Sequence, residues 1–194
     1  MKVGIIASLA QPHECYGFDN IIGCDYGAFV CAQAGLRMSI AVGDFDSVTS
    51  EQLALIHHYA DEVHTLSKDK DVSDTEYALS LTSVEDEVLI VGGLGQRLDH
   101  EWANVLSLFK YPHAKLINNQ HIIFVVNGQT TIKKEKMYCS IFPVTETIIS
   151  MSGVKYPLKD HRLRALDTLC LSNEIIHDEA IIEVNQPVLV ILSQ

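Results

Sequence analysis

The chain has 194 residues, and 47% of them are hydrophobic, which is enough for a folded core in one large or two small domains. Its 25 acidic residues exceed its 14 Lys and Arg residues, giving a formal net charge of −11. This balance argues against a protein that grips nucleic acid through a basic surface, so no nucleic-acid partner is expected. It does not exclude a phosphate ligand that arrives with a divalent cation.

The five cysteines are odd in number and contain no C-x-x-C pair. This pattern argues against both a disulfide framework and a zinc site, and favours reduced thiols in a cytoplasmic protein. The apolar segment MKVGIIASLA is short for a signal peptide and predicts a first β-strand. No run approaches the roughly 18 apolar residues of a membrane-spanning helix, so no membrane association is expected.

Residues 1–118 alternate between strand-like and helix-like segments, which predicts a parallel sheet with helices on its faces. Ligands of such sheets bind beyond the carboxyl ends of the strands. The predicted strands, in chain order, are KVGIIAS, NIIGCD, SIAVGD, EVHTL, EVLIVGG and AKLIN. The predicted helices are GAFVCAQAG, SVTSEQLALIHHYA, SDTEYALSLTS and DHEWANVLSLFK.

Residues 119–194 instead form short β-branched segments with almost no helical periodicity. Asn127-Gly128 is a typical hairpin turn, and residues 185–187 (Asn-Gln-Pro) also break the pattern. The predicted strands are HIIFVVNGQTTI, MYCSIFPV, ETIISMSG, TLCLSNEII, EAIIEVNQ and PVLVILSQ. The pattern predicts a parallel-sheet α/β domain over residues 1–118, followed by an all-β sandwich or barrel over residues 119–194.

Acidic residues follow four of the predicted strands in the first domain. Because the carboxyl ends of parallel strands meet at one edge of a sheet, these acids are expected to gather there. Such carboxylates would repel one another unless a cation lay among them, and oxygen ligands suit Mg²⁺. The acids are Asp25, Asp44, Asp46, Asp69, Asp71, Asp74 and Asp99, the last followed by His100.

The segment GDFDS has two interpretations. Asp44 and Asp46 can form a turn and a helix cap, or both can face a metal–phosphate centre. On an extended strand end, alternate side chains point the same way, so Phe45 would point toward the core. Ser47 would then cap the following helix.

Two further motifs also have structural alternatives. Ser73 and Glu76 match the S-x-x-E capping box, which places Asp74 in a first helical turn where an acid is favourable anyway. The segment GGLGQR resembles a glycine-rich phosphate loop but is neither a Walker A motif nor a complete G-x-G-x-x-G. Its Arg97 can clamp a phosphate or pair with Asp99, and spacing leaves both open.

Taken together, these motifs resemble the thiamine pyrophosphokinase (thiamine diphosphokinase) family over nearly the whole chain. In the first domain the matching segments are CDYGA, GDFDS, KDVSD and RLDHEWAN; in the second they are SIFPV, GVKYPL and LSNE. Two residues depart from the family pattern. Tyr26 and Gln96 stand where glycine is usual, so Tyr26 can either crowd a nucleotide or offer it a stacking face.

The resemblance implies an α/β domain and a β-sandwich, assembled as a homodimer with the active site at the subunit interface. It implies transfer of the pyrophosphoryl group of ATP to the hydroxyl of thiamine, with release of AMP and with Mg²⁺ as cofactor. The metal candidates are Asp44, Asp46, Asp71 and Asp74, and the ATP candidates are Asp25, Asp44, Lys70, Arg97 and His100. The catalytic candidates are Asp46, Asp71, Asp74, Arg97 and Asp99, and the thiamine candidates are Asp99, Ser172 and Asn173.

Two alternatives stay open at this point. One is a similar enzyme that acts on another alcohol, such as a pterin alcohol. The other is a ligand-binding or sensor protein with a decayed site and no turnover, although the sequence lacks none of the expected acids. The general base is also open, with Asp46 and Asp71 as candidates.

Overall fold

The structure is a computed structural model that describes residues 1–67, 69, 71–95 and 97–194. The chain divides into two compact units, Met1–Asn118 and Asn119–Gln194, at the point where the sequence pattern changes. Lys68, Lys70 and Gln96 lie outside the described residues. The nucleotide role of Lys70 and the effect of Gln96 therefore stay predictions.

The first unit contains six strands that pair in the order β6-β5-β1-β2-β3-β4, and every pair is parallel. This is the pairing that the alternation of strands and helices predicts. The strands are β1 (Lys2–Ile6), β2 (Asn20–Cys24), β3 (Met38–Gly43), β4 (Ala60–Thr65), β5 (Glu87–Val91) and β6 (Ala114–Ile117).

Four α-helices and one 3₁₀ turn (Pro12–Glu14) connect these strands. In the part of the chain that the structure describes, no helix is both long and apolar enough to cross a membrane. The helices are α1 (Tyr26–Gln33), α2 (Ser50–Tyr59), α3 (Asp74–Ser80) and α4 (Leu98–Lys110).

The helix caps agree with the sequence in one case and differ in another. Ser73 caps α3 as predicted, because its Oγ accepts a hydrogen bond from the Glu76 N–H at 3.1 Å. The predicted cap of α2 by Ser47 is wrong. Thr49 caps that helix, since its Oγ1 accepts from Gln52 N–H while Gln52 Oε1 accepts from Thr49 N–H. This reciprocal capping box satisfies two backbone donors at once, which a single serine two residues earlier cannot do.

The second unit consists of antiparallel strands. The long strand β12 organises it: β7 pairs along nearly its whole length, β9 pairs with its first half, and β8 with its second half. The strands are β7 (His121–Lys133), β8 (Tyr138–Pro143), β9 (Thr147–Ser152), β10 (Leu158–Leu163), β11 (Asn173–Glu174) and β12 (Glu179–Ser193).

Two turns predicted in this unit are wrong. Strand β7 runs through Asn127-Gly128. Strand β12 runs through residues 185–187, so the two predicted strands EAIIEVNQ and PVLVILSQ form one strand. The register of β12 shifts between Val184, which pairs with Gly128, and Val188, which pairs with Val126, so residues 185–187 form a bulge opposite Asn127. A bulge tolerates the proline, which has no N–H to donate, and Gly128 adopts a φ of +81° at this irregularity.

Close packing of α1 on the sheet depends on Gly27. A Cβ at this position would collide with the carbonyl oxygen of Ile6 and lie 2.7 Å from that of Ala7. Both atoms belong to the backbone at the end of β1, so neither can turn away. The first turn of α1 can approach β1 this closely only without a side chain at Gly27.

We therefore expect Gly27→Ala to destabilise the protein by about 1–3 kcal/mol through overpacking. Helix propensity alone predicts the opposite sign, a gain of about 1 kcal/mol. Urea unfolding followed by circular dichroism measures the difference. Gly35→Ala is the control, because Gly35 has a φ of +73° and open space, so it reports backbone strain without a clash. A Gly27→Ala protein as stable as the wild type would contradict this packing.

Candidate active site

A cleft of about 690 Å³ lies in the first unit, beyond the carboxyl ends of β1, β2, β3 and β5. This is the edge of the sheet at which the sequence places the acids. Arg97 and His100, at the start of α4, line the same cleft. Five of the predicted carboxylates line it: Asp25, Asp44, Asp46, Asp71 and Asp74.

Asp44 and Asp46 reach the cleft from a turn rather than from an extended strand end, which corrects the expected geometry. Strand β3 ends at Gly43, and Phe45 adopts a left-handed φ of +55°. Asp44 stabilises the turn, because its Oδ1 accepts a hydrogen bond from the Asp46 N–H at 3.2 Å. The ring of Phe45 is buried in the core, as expected. Asp44 therefore shapes the turn and lines the cleft at once.

The turn packs directly against Asp25, which follows β2. The Phe45 N–H donates to Asp25 Oδ1 at 3.2 Å, and the Asp25 N–H donates to the Val42 carbonyl at 2.9 Å. A Cβ at Gly43 would collide with Asp25 Oδ1. The glycine of GDFDS is thus required so that the Asp25 carboxyl can lie against the turn.

Burial and a second carboxylate together raise the pKa of Asp25 to about 7. Burial has the largest effect, followed by the hydrogen bond and the charge of Asp74, while the Phe45 N–H opposes them. Near neutral pH the Asp25 carboxyl is therefore partly protonated and can donate its proton toward Asp74. A cation placed among these acids would favour the ionised form instead.

Arg97 and Asp99 form the ion pair that the sequence left open as an alternative. The guanidinium meets the carboxylate through two hydrogen bonds, of 2.7 and 3.2 Å. This contact lowers the pKa of Asp99 to about 2, with help from the His100 N–H. Both side chains are about two-thirds exposed, so the pair contributes little to stability. Arg97 can therefore exchange Asp99 for a phosphate at a small cost in free energy. Asp99 itself is not among the residues that line the cleft.

Several other residues that line the cleft were not predicted. Residues 7–11, directly after β1, carry no charged side chain, so a search for charges does not find Ser8 and Leu9. Asn104 belongs to RLDHEWAN but lies a full turn into α4, where the sequence indicates only a helix. These residues are Ser8, Leu9, Glu101 and Asn104, whereas Gly92 and Gly93 belong to the GGLGQR segment that the sequence indicates as a possible phosphate loop.

Tyr26 is not among the residues that line the cleft. Its ring packs against Phe29 with 5.3 Å between ring centroids. The structure therefore does not support the idea that Tyr26 crowds a nucleotide or stacks on it. Having tyrosine rather than glycine at this position leaves the carboxylates of the cleft in place.

In the second unit, Asn173 is 3% exposed and its side-chain amide is engaged with backbone groups. Its Oδ1 accepts from Tyr156 N–H and Glu174 N–H, and its Nδ2 donates to the Tyr156 carbonyl. Ser172 precedes it with a φ of +55°, and its N–H donates to Ser140 Oγ at 2.9 Å. Asn173 thus fixes the backbone of Tyr156, whose side chain is 61% exposed.

The carboxylates of the cleft fit a cation whose coordination is completed by other ligands. Across the described ranges, which omit residues 68, 70 and 96, no three His, Cys, Asp or Glu side chains form a group that could hold a metal ion. Mg²⁺ does not need such a cage, because it keeps several waters and uses one or two carboxylates together with substrate phosphates. The donor set therefore fits Mg²⁺ bound with a phosphate ligand better than a pre-formed metal site.

Comparison with known proteins gives consistent results for both units. The family model "Thiamin pyrophosphokinase, catalytic domain" matches residues 14–123, and "Thiamin pyrophosphokinase, vitamin B1 binding domain" matches residues 129–189. Thiamine pyrophosphokinase of Bacillus subtilis (strain 168) is 33% identical over 182 residues, covering 88% of this chain and 85% of the relative.

Solved structures agree. A crystal structure of thiamine pyrophosphokinase from Bacillus subtilis has a TM-score of 0.85 at 28% identity, over 100% of this chain and 99% of that one. Thiamin pyrophosphokinase from Geobacillus thermodenitrificans has a TM-score of 0.85 at 27% identity, over 100% and 98%. The chain belongs to the thiamine pyrophosphokinase family.

Proposed function

We propose that this protein transfers the pyrophosphoryl group of ATP to the hydroxyl of thiamine, giving thiamine diphosphate and AMP. The observation that carries the proposal is the single cleft in which five carboxylates meet Arg97 and His100, in a chain of this family. The match of residues 129–189 to a vitamin B1 binding domain favours thiamine over another alcohol as acceptor.

In this proposal the unit of residues 1–118 binds ATP together with Mg²⁺. Asp44, Asp46, Asp71 and Asp74 would hold the cation, directly or through water. When bound, Mg²⁺ neutralises negative charge on the phosphates around the bond that breaks. The carboxylates have a second effect, because their negative charge attracts the permanently positive thiazolium ring of thiamine.

Positioning and charge stabilisation account for most catalysis of phosphoryl transfer. Arg97 and His100, with Lys70, would contact phosphate oxygens as Arg97 exchanges Asp99 for substrate. The thiamine hydroxyl oxygen attacks the β-phosphorus, the bond to the α-phosphate oxygen breaks, and AMP leaves with that oxygen. Asp46 or Asp71 would accept the hydroxyl proton. Asp99 would either keep one contact that orients the Arg97 guanidinium or, once released from it, contact thiamine.

The unit of residues 119–194 would be a β-sandwich that contacts thiamine near Ser172 and Asn173. Since the Asn173 amide is engaged with backbone, its contribution would be to hold Tyr156, an exposed aromatic ring of the kind that receives cations. The protein would be cytoplasmic, which is supported by its five free, buried cysteines.

A homodimer with the active site between subunits is also part of the proposal. Leu98, Trp102 and Leu106 support it, because they follow one another at four-residue intervals along α4 and are 77%, 58% and 47% exposed. A stripe of this kind on one helix face is typical of a surface that a partner covers.

The direct test is to incubate the protein with ATP, Mg²⁺ and thiamine and to separate the products by chromatography. The expected products are thiamine diphosphate and AMP in equal amounts. ADP with thiamine monophosphate would contradict the pyrophosphoryl transfer, and faster turnover of a pterin alcohol would contradict the acceptor. Thiamine binding by calorimetry without turnover in any divalent metal would contradict the enzymatic function.

Replacing Asp46 by Asn should lower kcat by at least about 100-fold and leave the protein folded, because the substitution removes charge from the centre that positions the phosphates. Steady-state rates across a Mg²⁺ titration measure the loss. Asp61→Asn is the matched control, since Asp61 pairs with Arg37 at an exposed position outside the cleft. Wild-type rates for Asp46→Asn at any Mg²⁺ concentration would refute the role.

Replacing Asp25 by Asn should stabilise the metal-free protein more at pH 8 than at pH 5, by about 1–2 kcal/mol when its partial exposure is considered. The pKa of Asp25 is about 7 in the folded state, above its unfolded value of about 3.9. The folded wild type therefore loses stability as pH rises through this window. An asparagine does not titrate but still accepts the Phe45 N–H.

Urea unfolding with EDTA at both pH values measures this difference. Asp61→Asn again serves as control and should show no comparable pH dependence. An equal effect of Asp25→Asn at pH 5 and pH 8 would show that the raised pKa is wrong.

A further inference from the structure

Two side chains of α4 hold the glycine loop that follows β5. Asn104 Nδ2 donates a hydrogen bond to the Gly93 carbonyl at 2.9 Å. One helical turn earlier, Glu101 Oε1 accepts a hydrogen bond from the Gly95 N–H at 2.9 Å. Residues three apart lie on the same helix face, so α4 fixes the loop at two points.

Asn104 packs closely against Gly93. Asn104 is only 6% exposed, yet it lines the cleft together with Gly93. A Cβ at Gly93 would lie 3.0 Å from Asn104 Nδ2 and 2.8 Å from Leu116 Cδ1, which leaves no room for a side chain. The glycine and the asparagine therefore depend on each other for this close approach.

The fixed loop in turn holds a second wall of the cleft. The Leu9 N–H donates to the Gly92 carbonyl at 3.1 Å. This hydrogen bond attaches the segment after β1 to Gly92, the neighbour of Gly93. Ser8 and Leu9 line the same cleft as the carboxylates. A chain of hydrogen bonds thus runs from Asn104 through residues 92–93 to Leu9.

We propose that Asn104, assisted by Glu101, is a positioning residue that fixes the glycine loop for ATP; this rests on the proposed function. Asn104 acts through Gly93 rather than on the reacting atoms. The loop lines the cleft assigned to ATP. Loss of the Asn104–Gly93 hydrogen bond should therefore weaken the binding of ATP and leave the binding of thiamine unchanged. Small displacements of a positioned substrate have large effects on rate. We expect Asn104→Ala to raise the KM for MgATP by about tenfold and to change the KM for thiamine by less than about twofold.

The experiment compares Asn104→Ala with four other variants. Asn104→Gln keeps an amide donor and should restore part of the affinity for MgATP. Ser107→Ala is the matched control, because Ser107 is 3% exposed on the same helix but donates to the Ala103 carbonyl within α4 and does not line the cleft. Glu101→Gln keeps an acceptor for Gly95 N–H, and Glu101→Ala removes it.

Hydrogen exchange without any ligand provides a readout that does not need activity. Mass spectrometry of the peptide containing residues 92–95 should show faster exchange in Asn104→Ala and Glu101→Ala than in Ser107→Ala and wild type. Equal exchange in Asn104→Ala and Ser107→Ala would overturn the proposal, and so would an unchanged KM for MgATP. If the wild type forms no thiamine diphosphate, the proposed function fails, but the exchange measurement still decides whether Asn104 holds the loop.

Discussion

The mutual repulsion of carboxylates at one edge of a parallel sheet is the constraint on which the site depends. Five of them line a single cleft, and their neighbours limit the repulsion in the absence of a cation. Asp25, whose pKa burial and Asp74 raise to about 7, is partly protonated near neutral pH, and its carboxyl accepts a hydrogen bond from the Phe45 N–H. A divalent cation bound among these acids would favour the ionised form of Asp25 and so displace the proton between Asp25 and Asp74. This is the physical reason to connect the cleft with MgATP.

The backbone around the cleft is built to allow close approach. Gly43 leaves space for the Asp25 carboxyl, Gly27 brings α1 against β1, and Gly93 admits the Asn104 amide. A Cβ would meet backbone oxygens at Gly27 and the end of a functional or core side chain at Gly43 and Gly93. The glycines therefore determine how near the functional groups lie, while the parallel sheet determines which groups meet.

The gathering of the acids could be predicted from sequence, because alternating strands and helices imply parallel pairing and hence a common edge. The turn at residues 44–46 could not, since the left-handed Phe45 is held by a tertiary hydrogen bond that its N–H donates to the Asp25 carboxyl. Likewise, Asn127-Gly128 is a turn signal by local rules, yet a bulge in the facing strand keeps it within β7. The uncharged residues Ser8 and Leu9 line the cleft next to Gly92, whose carbonyl accepts a long-range hydrogen bond from the Leu9 N–H. Local patterns predicted the elements, and long-range contacts decided these exceptions.

The central claim is that the acids of the cleft bind a divalent cation jointly with the phosphates of ATP rather than alone. Electron paramagnetic resonance of Mn²⁺, used in place of Mg²⁺, measures the free ion directly. We predict that Mn²⁺ stays largely free with the protein alone. When a non-hydrolysable ATP analogue is added, more Mn²⁺ should become bound than the analogue binds without the protein. Equal Mn²⁺ affinity with and without the analogue, or no binding beyond that of the analogue itself, would contradict it.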